Sequence, residues 1–234
     1  DIYLTLDGEN VVANRNQNVV ARYPLHTLFG IVSFSYSGAS PALMGACAQR
    51  GIGLSFCTPR GRFLARVCGE NSGNVLLRRT QYRVADDPVQ SCRAARTMIF
   101  GKLHNSRWSI ERSCRDHAQR LDTARLKAAS ETLQNLLPTV AQSSSLEELR
   151  GFEGVGAVAY FGVLDEMILN QKESFFFHGR NRCPPLDIVN AMLSFTYSLL
   201  AHDCASALES VGLDPYVGFL HRDRPGRTSL ALDL

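Results

Sequence analysis

VQSCRAARTMIFGKLHNSRWSIERSCRDHAQRLDTARLKAASETLQNLL, residues 89–137, places apolar side chains three and four apart over almost fifty residues, which is the spacing of amphipathic helices. The change of pattern comes at Asn74, where NVLLRRTQYRVADDP carries the chain into this segment. Upstream the vocabulary is that of strands. IYLTL, VVA, NVVARY, GIVSFSY, IGLSFCT and RFLARVC follow one another at short spacing, with Asp7-Gly8 as a turn. One helix interrupts them in SPALMGACAQRG: Ser40 suits the N-cap, Pro41 the first helical position and Gly51 a left-handed C-terminal cap. Downstream, PTVAQSSS (138–145) is a polar break. Ser145 and Glu148 then form a capping box that starts a helix predicted to run through LRGFEGVGAVAYFGVLDEMIL (149–169). A loop over 170–185 leads to a long apolar helix, LDIVNAMLSFTYSLLAHDCASALESVG, which Gly212 can end. The predicted fold is α+β: an N-terminal β-rich domain (1–73), a linker (74–86) and an all-α domain (87–234).

No run of 18 apolar residues occurs, so no membrane span is expected. The seven cysteines are odd in number, scattered and never in a CxxC pair, which argues against a disulfide framework or a zinc knuckle and fits a reducing cytoplasm. The net charge of +3 is ordinary, but residues 74–127 hold 12 Lys/Arg against five Asp/Glu. A basic segment of this kind suggests a polyanion, most often nucleic acid. Arg78, Arg79, Arg93 and Arg96 lie within it and are expected to hold a DNA backbone without reading bases.

Glu153 sits in RGFEGVGAVAYFG among Gly151, Gly154 and Gly156. Glycine in a helix interior costs about 1 kcal/mol relative to alanine, so three in six residues suggest that backbone or ligand comes close. A carboxylate there needs a cation, a metal or hydrogen bonds, although it could equally reach solvent or an arginine. His221 follows the apolar YVGFL and precedes the turn-rich RDRPGRT, after which SLALDL carries Asp233. Glu, His and Asp together suit Mg2+ or Mn2+ better than structural zinc, while spacings this long match no local metal motif. Arg180 and Arg182 precede a Pro184-Pro185 approach to a helix. They are suited to phosphates, or equally to loop carbonyls.

Five segments in order, YLTLDGENVV, PLHTLFGIVSFSYSGASPALMGACAQRGIGLSFCTPRGRFLARV, GNVLLRRTQYR, GRNRCPPLDIVNAMLSFTYSLL and GLDPYVGFLH, resemble the CRISPR-associated spacer-acquisition integrases, the "Cas-one" nucleases, and within them the type I-C branch. The resemblance implies a β domain joined to a catalytic α domain. It further implies a homodimer that assembles with the small "Cas-two" protein and inserts foreign DNA into a CRISPR array. Carried over residue by residue, Glu153 resembles the first metal-binding carboxylate and His221 the metal-binding histidine. Asp233 matches the first acid of a final helical pattern whose second acid follows three residues on, beyond Leu234. The resemblance therefore implies a chain clipped at both ends, with Asp233 as third ligand or as a partner to the ligands. A non-catalytic DNA-binding scaffold of the same fold is the alternative.

Overall fold

Local turn chemistry builds the first sheet. In the computed structural model, which describes residues 1–70, 74–182 and 184–234, β1 (Tyr3–Asp7), β2 (Asn10–Arg15) and β3 (Asn18–Pro24) form an antiparallel meander. Gly8, at φ 56°, supplies the left-handed residue of the first hairpin. Asn16 and Gln17 are both left-handed at the second, at φ 49° and 66°, the backbone that a two-residue turn needs to match strand twist. A second sheet has the order β4-β5-β6, with β4 (Gly30–Ser33) parallel to β5 (Gly53–Cys57) and β5 antiparallel to β6 (Phe63–Val67). The parallel pair is joined through helix α1 (Pro41–Arg50), capped as its sequence dictates: the Ser40 hydroxyl accepts from the Leu43 amide at 3.2 Å, and Gly51 sits at φ 68°. Leu25, Leu43, Cys47 and Leu54 are its fully buried centre.

The chain divides into two compact units, Asp1–Leu77 with Asp203–Leu213, and Arg78–His202 with Asp214–Leu234. The strand-then-helix order expected from the sequence is the one observed. The segment read as a linker contains helix α2 (Val75–Asp86); the boundary at residue 73 and Cys183 lie outside the described residues. Within the first unit, Arg66 of β6 pairs with Glu209 at 2.6 Å and donates to Ser206, which ties in the end of helix α6 (Ile188–Ser210).

In the second unit α3 (Pro88–His117), α4 (Thr123–Gln142) and α5 (Leu146–Phe161) pack around Ile99, Leu103, Ile110, Leu126, Leu133 and Leu149. Two expectations are corrected. Pro138 does not break α4, which continues to Gln142. Proline forfeits one backbone bond, and here the fully buried Val140 holds the last turn in the core. Helix α5 stops at Phe161 rather than continuing to residue 169; a short 3-10 turn follows at Asp165–Met167. Among the described residues the free cysteines are buried or partly exposed except Cys68, and no helix is long and apolar enough to cross a membrane.

One glycine sets the α3–α5 approach. A Cβ on Gly156 would land inside the Leu103 side chain and 3.4 Å from Leu133 Cδ2, and Leu103 is only 2% exposed. Gly156→Ala is therefore expected to destabilise by about 1–3 kcal/mol through overpacking. Combined with Leu103→Ala it should cost less than the sum of the two single changes, as denaturant melts of the three variants would show.

Candidate active site

The last helix, α7 (Ser229–Asp233), is a single turn, too short to stand without tertiary partners, and its partner is the loop after α6. Asp233 Oδ2 accepts from the amides of Phe219 (2.6 Å) and Leu220 (3.0 Å); Oδ1 accepts from the amide of His221 (3.0 Å) and approaches His221 Nδ1 at 2.6 Å. Three consecutive amides and one ring nitrogen fill the carboxylate, whose side chain is 0% exposed. Gly218 makes the approach possible, since a Cβ there would lie 2.8 Å from Asp233 Oδ2 and 3.0 Å from the Ser229 carbonyl carbon. Asp233, expected as a third metal ligand or as a partner to the ligands, is buried with two donors on each of its oxygens.

The consequence falls on the histidine. A carboxylate only accepts, so Nδ1 is the donor of this pair and, in the neutral ring, the lone pair is on Nε2. His221 is 26% exposed. This is the arrangement in which a carboxylate fixes the tautomer of a metal-binding imidazole.

The loop is fastened at both ends. The Gln81 amide, 4% exposed, donates to the carbonyls of Asp214 (2.7 Å) and Val217 (3.0 Å) and accepts from the Asp214 amide (2.8 Å), while the Tyr82 hydroxyl bonds the Asp214 carboxylate at 2.9 Å. Arg150 of α5 donates to the Leu220 carbonyl through Nε (3.2 Å) and NH2 (2.5 Å), and to Glu147 at 2.7 Å. The backbone next to His221 is therefore bonded to α5 one turn before Glu153. Glu153 itself, with 24% of its side chain exposed, pairs with Lys102 of α3. The sequence reading foresaw the need for a cation there but not which residue supplies it. The contacts that Gln81 and Arg150 make with the loop and Lys102 makes with Glu153 carry no local signal, because they span 51 to 136 residues.

The arginines divide. Arg79, Arg93 and Arg182 are exposed and Arg78 is half-buried. Arg96 donates to the Ala141 carbonyl at the end of α4 (3.1 Å), where a cation suits the unpaired carbonyls. Arg180 is spent on the Asn181 carbonyl (2.6 Å), Asn190 Oδ1 (2.9 Å) and Ser194 (3.3 Å), and lies over the Tyr197 ring. The fully buried Asn190 gathers this loop, also donating to the Gly179 carbonyl (2.8 Å) and to Asp187 (2.6 Å). Burial opposes the charge on Asp187, but hydrogen bonds from the Asn190 side chain and amide and from Asn181 outweigh it and hold the carboxyl below its ordinary value. A cavity of about 440 Å³ beyond the C-terminal end of α5, lined by Arg125, Phe161, Asp165 and Phe177, contains neither Glu153 nor His221.

Among the described residues no three His, Cys, Asp or Glu side chains converge as a finished metal site. Glu153 pairs with Lys102 and His221 with Asp233; their side chains carry donor atoms, a carboxylate and the imidazole Nε2, of the kind that a divalent cation takes.

Comparison with known proteins gives the family and the fold. The family model described as CRISPR associated protein Cas1 matches residues 1–234. The CRISPR-associated endonuclease Cas1 1 of Chlorobaculum tepidum is 47% identical over 232 residues, which cover 99% of this chain and 68% of that protein. A solved casposase bound to integration product shares the fold at a TM-score of 0.71 and 23% identity, covering 99% of this chain and 65% of that one. A Cas6-RT-Cas1–Cas2 complex contains a chain that aligns at a TM-score of 0.69 and 22% identity, covering 99% of this chain and 25% of that one.

Proposed function

The chain belongs to the CRISPR-associated Cas1 family, and from that premise we propose that it is a metal-dependent DNA endonuclease and integrase that inserts foreign DNA spacers into a CRISPR array. The observation that carries the reading is the Asp233-held imidazole of His221, fastened by Arg150 to the helix that bears Glu153. Glu153 and His221 Nε2 would hold Mg2+ or Mn2+. Such an ion supplies Lewis-acid charge to a target phosphate. The DNA 3′-hydroxyl forms a new P–O bond as the old P–O bond breaks and its oxygen leaves as a 3′-hydroxyl; with water as nucleophile the same displacement is nuclease cleavage.

DNA is the substrate, and the solved complex of a related fold supports a Cas2 partner. Apolar side chains standing out from the β domain support a homodimer: Val19, Val20 and Tyr23 on β3 are more than half exposed, and Phe29 is 98% exposed. The five segments resembling type I-C proteins support that branch. The cysteine usage supports the cytoplasm.

The test is strand transfer by full-length protein on a labelled DNA with a CRISPR repeat target, in Mg2+ or Mn2+ and in excess chelator. Metal-dependent joined product is expected; DNA binding with no joined or cleaved product in either metal would favour the scaffold. Binding itself should be steeply salt-dependent. Arg79→Ala with Arg93→Ala should flatten the log–log salt slope by up to about two units if both contact phosphates. Arg96→Ala and Arg180→Ala, whose guanidiniums are engaged within the fold, should lower stability more than slope. Equal slopes in all variants would remove α2 and α3 from the DNA-binding surface.

A further inference from the structure

Lys102 is the cation at Glu153. It stands on α3 immediately before Leu103, the residue that packs against Gly156, one turn beyond Glu153 on α5. The close helix approach that the glycine permits thus fixes the root of Lys102 opposite the carboxylate. Its side chain is 54% exposed against 24% for Glu153, so the ammonium is the better solvated partner of the pair.

Resting on the metal site just assigned, we propose that Lys102 is a stand-in cation and a phosphate contact: it neutralises Glu153 until a divalent ion binds, then yields the carboxylate and pairs with a non-bridging oxygen of the DNA phosphate. Three properties of the residue carry this. A carboxylate only a quarter exposed between two packed helices attracts a counter-charge. An ammonium and a divalent cation cannot share the same oxygens without repulsion, so one displaces the other. A lysine on a flexible four-carbon stem, rooted in a rigid helix contact, keeps its charge within reach of the site after it lets go, and it binds phosphate as a point charge. An arginine at the same place would hold the carboxylate in a two-pronged grip and yield it less readily.

Mn2+ titration followed by the EPR signal of the free aquo ion, with no DNA present, separates this from a structural role. Lys102→Met should tighten Mn2+ binding by about three- to tenfold, because the competing charge is gone. The same variant should lose at least about tenfold in strand-transfer rate at saturating Mn2+, with its melting temperature little changed, and Lys102→Arg should recover part of that rate. Weaker Mn2+ binding by Lys102→Met, or an unchanged rate at saturating metal, overturns the proposal. Glu153→Gln serves as the separate control. If it leaves Mn2+ binding of the otherwise unaltered protein intact, the site assignment fails and the role of Lys102 falls with it; if it weakens Mn2+ binding while Lys102→Met changes nothing, only the role of Lys102 is wrong.

Discussion

Glu153→Ala is expected to abolish metal-dependent strand transfer while shifting the melting temperature by no more than a few degrees. The two halves have separate causes. The Glu153 side chain is a quarter exposed and its partner Lys102 is more than half exposed, and pairs of this kind contribute about 0–1 kcal/mol. Removing the carboxylate leaves Lys102 free to rehydrate, and no buried group loses a partner. In a protein of this size that amounts to about 2–4 °C. Activity should respond very differently, because Glu153 is the carboxylate proposed as a direct metal donor on the helix that holds the His221 loop. Loss of a direct donor should exceed the roughly 10–100-fold typical of an outer partner. A gel assay of strand transfer in Mn2+ beside a circular-dichroism melt checks both halves. Retained activity would mean that the site is elsewhere, and a drop of more than about 8 °C would mean that the carboxylate holds the helices together.

The sequence disclosed what is decided within a few residues and hid what is decided at a distance. Ser40, Pro41 and Gly51 bound helix α1 through neighbours three or four positions away, so reading them in order was enough. Pro138 misled because the cost of a proline was visible while the buried anchor that offsets it, Val140, is a fact of packing. Arg96 and Arg180 show the same limit from the other side. A guanidinium fits a phosphate or a carbonyl equally well, and only the position of Ala141 and Asn190 decides which it meets. The end of α6 clusters with the β unit through Arg66 and Glu209, a pairing across 143 residues that no periodicity could announce. Glu153, His221 and its partner Asp233 could be singled out in the chain, whereas Lys102, Arg150 and Gln81, which meet them or the loop from far away in sequence, could not.

Asp233→Asn should lower both activity and stability, and the pairing of the two losses is what distinguishes an orienting carboxylate from a ligand. Both Asp233 oxygens accept two donors each, and asparagine has only one oxygen. Whichever way its amide turns, its NH2 faces two donors, either the Phe219 and Leu220 amides or the His221 amide and ring. In a side chain with no exposure to water, each unmet donor costs about 1–3 kcal/mol, so a loss of about 3 kcal/mol and about 6–12 °C in melting temperature is expected. If the NH2 turns toward the ring, Nδ1 becomes the acceptor and the proton moves to Nε2, the nitrogen needed for the metal. The wrong tautomer should then reduce strand transfer and Mn2+ affinity by about a hundredfold or more. Nitrogen-15 spectra of the His221 ring would show the tautomer directly. A variant with unchanged melting temperature but no activity would make Asp233 a metal ligand after all. One that keeps both would mean that the cradle of amides holds the loop without help from the carboxylate's charge, and that His221 finds its orientation from the Gln81 and Arg150 bonds alone.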